Sequence, residues 1–117
     1  MKEKEIPTAI EIEFDNIIEN TLEKIRVLLT VKGKEYRRNN NPYHNFEVAA
    51  KMNNCTREQA LHGFALKHLV SISDIRNDIA NGKLPNIMTV EEKFGDIITY
   101  FLLEKASIIN KINQNIK

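Results

Sequence analysis

An all-α fold is predicted by three features of this 117-residue sequence. Apolar residues return at steps of three and four along three long stretches. Thr56 with Gln59, and Thr89 with Glu92, have the spacing of a capping box, in which two side chains satisfy the first free N–H groups of a helix. Stops stand at Gly33 and at Asn81-Gly82, with Pro85 preventing resumption. The prediction is a bundle of three long helices and one short helix, preceded by an extended N-terminal arm.

In chain order, residues 1–14 form the arm. Its charged opening is followed by Ile10, Ile12 and Phe14 at alternate positions, the period of a strand. Residues 15–112 are read as one helical domain. Its first helix covers 15–31, with Ile17, Ile18, Leu22, Ile25, Leu28 and Leu29 on one face. The Asn39-Asn40-Asn41-Pro42 run is a turn, because asparagine tolerates left-handed backbone and proline cannot continue a helix. A short helix covers 43–52. The long central helix, 56–80, has Leu61, Phe64, Ala65, Leu69, Ile72, Ile75 and Ile79 as its buried stripe. The last helix opens at the Thr89 box and runs to 112 on Phe94, Ile97, Ile98, Phe101, Leu102, Ile108, Ile109 and Ile112. Residues 113–117 fray.

Composition narrows the class. A 42% hydrophobic and 28% charged chain is ordinary for a soluble protein of one domain. A net charge of +1 lacks the basic excess of a protein that grips long nucleic acid. No apolar run reaches the ~20 residues of a membrane span, and Met1-Lys-Glu-Lys-Glu leads into no signal sequence. The single Cys55 has no intramolecular disulfide partner and fits a reducing cytoplasm.

Two constellations can carry chemistry. In residues 32–46, Lys32, Lys34, Arg37 and Arg38 are interleaved with Tyr36, Tyr43, His44 and Phe46. Cations beside aromatic faces suit a phosphorylated base: charge-assisted hydrogen bonds hold the anion while a ring stacks. The alternative is a solvated loop whose rings plug the end of the bundle. The second constellation is a polar stripe on the central helix (Lys67, Ser71, Asp74 and Asp78, with His68 beside it), facing Glu92 and Asp96 on the last helix. Carboxylates on two facing helices can hold Mg²⁺; the alternative is a wet face. No nucleophile–base pair, glycine-rich phosphate loop or zinc spacing is present.

The segments KGKEY and NPYHNF, ALHGFALKHLVSISDI, and VEEKFGDIITYFLLEKA together resemble a pattern found in small phage and prophage proteins grouped as nucleotide-modification-associated. Those proteins are themselves similar to MazG-like nucleotide pyrophosphohydrolases. The resemblance spans about residues 25–110 and rests on Lys34-Glu35-Tyr36, Asn45-Phe46, Lys67-His68 with Ser71 and Asp74, and Glu92 with Gly95-Asp96 and Tyr100. It implies a nucleotide-binding scaffold, a homo-oligomer, and residence in the cytoplasm of a host cell. MazG-like enzymes hold Mg²⁺ with a glutamate-rich first motif and a later Glu and Asp three apart. Here no glutamate follows Glu58 on the central helix, Glu92 and Asp96 are four apart, and Lys67 disfavours a cation.

The expectation is therefore a protein that binds a nucleotide without turnover, with no cofactor, and that sequesters a host signal such as a cyclic oligonucleotide. Its expected ligand-binding residues are Lys34, Tyr36, Arg37, Arg38, His44, Asn45, Phe46, Lys67, His68 and Ser71. One alternative is a Mg²⁺-dependent pyrophosphohydrolase using Asp74, Asp78, Glu92 and Asp96. Another is a protein–protein interaction module. No membrane and no long nucleic acid is expected as a partner.

Overall fold

The computed structural model describes residues 6–115, apart from the side chains of Lys32, Glu35 and Tyr36. Readings that fall on residues 1–5 and 116–117 lie outside the described residues. The fold is all-α: three long helices and one short one, with no strand among the described residues.

From Ala9 on, the arm is helical where it was expected to be extended. Helix α1 (Ala9–Val27) starts before the predicted residue 15 because Thr8 and Glu11 form a capping box. The Glu11 N–H donates to Thr8 Oγ1 at 3.1 Å, and the Glu11 carboxylate accepts from the Thr8 N–H. Ile10, Ile12 and Phe14 alternate with Glu11 and Glu13, but Ile10, Phe14 and Ile17 also stand four and three apart. Three alternations fit either period, and the cap decides for the helix. Past Val27 the helix widens into a π-turn (Leu28–Lys32) and tightens into a 3-10 turn (Gly33–Tyr36). Glycine suits position 33, since a Cβ would make a tight 3.1 Å contact with the Leu28 carbonyl oxygen.

The asparagine run makes the predicted turn. Asn39 and Asn40 hold φ of 56° and 59°, and the Asn41 N–H closes it on the Arg38 carbonyl at 2.9 Å. Asn41 then starts α2 (His44–Met52): its Oδ1 accepts from the Tyr43 N–H at 3.0 Å and its Nδ2 donates to Glu47 at 3.1 Å.

Helix α3 (Arg57–Ala80) has the expected Thr56–Gln59 box and ends at Gly82, φ 82°. Replacing Thr56 with alanine is expected to cost about 1 kcal/mol, read from the urea midpoint. Helix α4 (Ile87–Asn115) corrects two boundaries. Its start is set by Asn86, whose Oδ1 accepts from the Met88 N–H at 2.7 Å, so Thr89 lies within the helix and its box with Glu92 does not open it. Its end carries residues 113–115, which were expected to fray.

Helices α3 and α4 form an antiparallel hairpin, with Arg57 against Ser107 at one end and His68 against Asp96 nearer the other. Ala65, Ile72 and Ile97 form its core, with Leu69 and Tyr100 packed around them. The buried row of α3 is Leu61, Ala65, His68, Ile72 and Ile75, alternating four and three as in a coiled-coil seam. His68 is thus a core residue, while Phe64 and Ile79, expected inside, are exposed. On α4 the expected stripe is largely outside: Ile97 is buried, but Phe94, Phe101, Leu102, Ile108, Ile109 and Ile112 are exposed, and Thr99 and Ser107 are buried instead. Helix α2 packs on α3, and α1 meets α4 near its own C-terminal end, where Ile25 is buried and Lys24 bridges Glu91 at 3.0 Å. No described helix is long and apolar enough to cross a membrane.

Candidate ligand-binding cavity

Where the chain leaves α1 it folds back over α4 and encloses a half-open cavity of about 380 Å³. One wall is Leu29, Thr30 and Gly33 from the turns, and the floor is Leu102, Leu103 and Ala106 of α4. The opposite wall is the asparagine turn and the first turn of α2, including Asn41, Tyr43, Asn45 and Phe46. Arg37 reaches in from between, and its guanidinium donates to the Leu29 carbonyl at 2.9 Å. The result is an apolar slot with two rings, two amides and one cation.

An aromatic row leads from this slot along the hairpin. Phe46 meets Phe64 edge-on at 5.7 Å, Phe64 stacks on Tyr100 at 6.4 Å, and Tyr100 stacks on His68 at 5.7 Å. Burial, and then the Asp96 charge, push the Tyr100 hydroxyl above its usual range. His68 Nδ1 lies 3.4 Å from the Asp96 carboxylate yet forms no hydrogen bond, so the pair is close without being aligned.

The wall is braced from behind by a polar node. Arg57, on the first turn of α3, stacks its guanidinium 4.2 Å from the centre of the Tyr43 ring. It also donates to Ser107 Oγ at 2.6 Å, to the Ser107 carbonyl and Asn110 at 3.0 Å, and to Glu47 at 3.2 Å. Beside it Glu58 accepts from Ser107 and Lys111. Burial raises the Glu58 carboxyl, but the hydrogen bonds from Lys111 and Ser107, with its own backbone N–H and the Lys111 charge, outweigh that and hold it at about 2. One cluster therefore fastens α2, α3 and α4 together.

Of the expected ligand residues, the cavity brings together Arg37, Asn45 and Phe46. Lys34 and Arg38 are exposed next in sequence to the lining residues Gly33 and Arg37. His44 is half-buried and does not line the cavity, and the side chain of Tyr36 lies outside the described residues. The three α3 residues stand apart from the cavity lining. Lys67 is exposed, Ser71 donates to the Lys67 carbonyl of its own helix at 3.1 Å, and His68 is in the hairpin core. The alternative acidic set is dispersed as well: Asp96 sits beside His68, Glu92 lies 3.6 Å from Lys93, and Asp74 is exposed. Among the described residues no three His, Cys, Asp or Glu side chains are grouped closely enough to hold a metal ion.

Sequence reasoning missed Arg57, Glu58, Ser107 and Asn110 as a unit. The only signal was an arginine and a glutamate just inside a capping box, with partners about fifty residues away. Fold and site together define a small all-α protein with an aromatic, arginine-bearing cavity. Compared with protein-family models, with curated proteins and with solved structures, the chain gives no match.

Proposed function

We propose that this protein binds a nucleotide-type small molecule in the cavity between the α1–α2 connection and α4, and holds it without turnover. The carrying observation is that Arg37 shares one slot with the Tyr43 and Phe46 rings. A base can stack on a ring while a guanidinium holds a phosphate oxygen, and about 380 Å³ lies in the range of small-molecule sites. Lys34 and Arg38, exposed beside lining residues, supply further positive charge for phosphates outside the slot. Sequestration of a cyclic oligonucleotide is the specific role proposed, drawn from the phage source that the resemblance suggests and not from any residue. Cleavage asks for carboxylates that would hold a divalent ion against the phosphates, and Asp74, Asp78, Glu92 and Asp96 are the set on which that alternative rests.

Calorimetry against nucleoside triphosphates and cyclic di- and trinucleotides tests this. At least one is expected to bind with Kd below ~100 μM, and Arg37→Ala to weaken it about tenfold or more. A folded protein that binds none of them overturns the reading. Pyrophosphate release in Mg²⁺, abolished by Asp96→Asn, replaces it with the hydrolase. The apolar side chains exposed on α1 and α4 favour a second reading, an interaction module. A stoichiometric partner retained after Arg37→Ala and Arg38→Ala would carry that one.

A further inference from the structure

The molecule is too open for a lone chain of its mass. Its accessible surface is 9683 Å², against roughly 6,500 Å² for a folded monomer of this mass. Its radius of gyration is 18.4 Å, against about 13 Å for a compact domain of this length. Exposed apolar side chains occur on every helix, and α1 and α4 carry the longest rows of them. On α1, Ile10 is 79% exposed, Phe14 61%, Ile17 54% and Leu22 58%. On α4, Phe101 is 48%, Ile108 45% and Ile112 53% exposed. Phe94, Ile98, Phe101, Ile108 and Ile112 share one stripe at helical spacing, with Lys105 inside it.

Geometry makes α1 an overhang. It joins the hairpin near its own C-terminal end, where Lys24 meets Glu91 close to the start of α4, so among the described residues no element covers 9–22. A bare helix of that length is marginal in water, because nucleation is costly and few hydrogen bonds repay it. Something must cover it.

We infer that a second copy of this chain does: the protein is an obligate, two-fold symmetric dimer in which α1 of each copy lies along the outer apolar stripe of α4 of the other. One reciprocal contact covers both bare surfaces at once, whereas an unrelated partner would have to match two separate faces. If each copy covered only half of its excess, the pair would bury roughly 3,000 Å², the size of an obligate interface and well above a transient one. Charge agrees with this direction. Residues 9–23 carry Glu11, Glu13, Asp15, Glu19 and Glu23 and no basic residue, and they would meet a stripe whose charged member is Lys105. The inference rests on exposure and shape and is independent of the ligand reading.

Light scattering on the full chain during size exclusion is expected to give twice the 13.5 kDa of one chain. Phe14→Asp with Ile17→Asp, and separately Phe101→Asp, should each raise the dimer dissociation constant about 30-fold or more, as losing a buried apolar anchor does. Should those variants unfold, a second measurement decides. Ile17→Cys and Phe101→Cys chains, each also carrying Cys55→Ser, are mixed and treated with a short bifunctional thiol reagent. The mixture should give a 17–101 cross-link between copies. A folded single-chain mass overturns the inference, as does a dimer without that cross-link, or a different protein bound stoichiometrically to one copy.

Discussion

Replacing Arg57 with alanine is expected to lower folding stability by about 3 kcal/mol, the range for removing one partner of a buried charge network. The urea midpoint at fixed protein concentration reads it. The size follows from what the guanidinium holds. Its side chain is 10% exposed and bonds to α2 through Glu47 and to α4 through Ser107 and Asn110. Without it, Ser107 Oγ and the Asn110 amide oxygen lose a donor and Glu47 keeps only Asn41, and breaking up such a network from one side costs more than the bonds were worth. Arg57→Lys should rescue little, because an ammonium cannot serve a hydroxyl, a carbonyl, an amide and a carboxylate from one plane. Ligand affinity should fall too, although Arg57 does not line the cavity, because the Tyr43 wall rests on it. A loss below about 1 kcal/mol would mean that Arg57 behaves as an ordinary surface ion pair.

The helices were legible because caps and period are local. Thr56 with Gln59, and Gly82 after Asn81, each act within one turn, and the structure uses them as expected. The Thr8–Glu11 box was equally local, but it was masked by the alternation of Ile10, Ile12 and Phe14. The place of His68 was also open to view, since 61, 65, 68, 72 and 75 continue one four–three rhythm that a polar residue need not break. What no local signal holds is which face of a helix meets which neighbour. Helix α4 has two candidate seams, one through Phe94, Phe101 and Ile108 and one through Asp96, Tyr100 and Ser107. Apolar content favours the first. The polar seam is the one turned toward α3, because Arg57 and Glu58 on α3 match Ser107. If a second copy covers the apolar seam, the preference for apolar residues at interfaces holds, but between chains. The cavity was half legible for a similar reason: Arg37, Asn45 and Phe46 are near in sequence, whereas His68 is linked to them through the aromatic row and Lys67 and Ser71 stand apart.

Acid should expose the same node from its other member. The Glu58 carboxyl is held at about 2 in the folded chain, against 4.5 for an unperturbed carboxyl. A depressed carboxyl contributes its full stabilisation above the unfolded value and loses it as the folded value is approached. Stability should therefore be flat with respect to Glu58 above about pH 5 and fall between pH 4.5 and 2, by on the order of 2 to 3 kcal/mol. Its side chain is 19% exposed, so solvent screens the interaction only in part. Urea midpoints across that window in the full chain measure the loss. Glu58→Gln removes this group's titration, so its curve should be shallower over the window and lower than that of the natural chain at neutral pH. Lys111→Met should lift the Glu58 carboxyl and narrow the window from below, since Lys111 is the strongest stabilising contact. If Glu58→Gln leaves the acid slope unchanged, the loss belongs to other carboxylates, and the node is held by Arg57 alone.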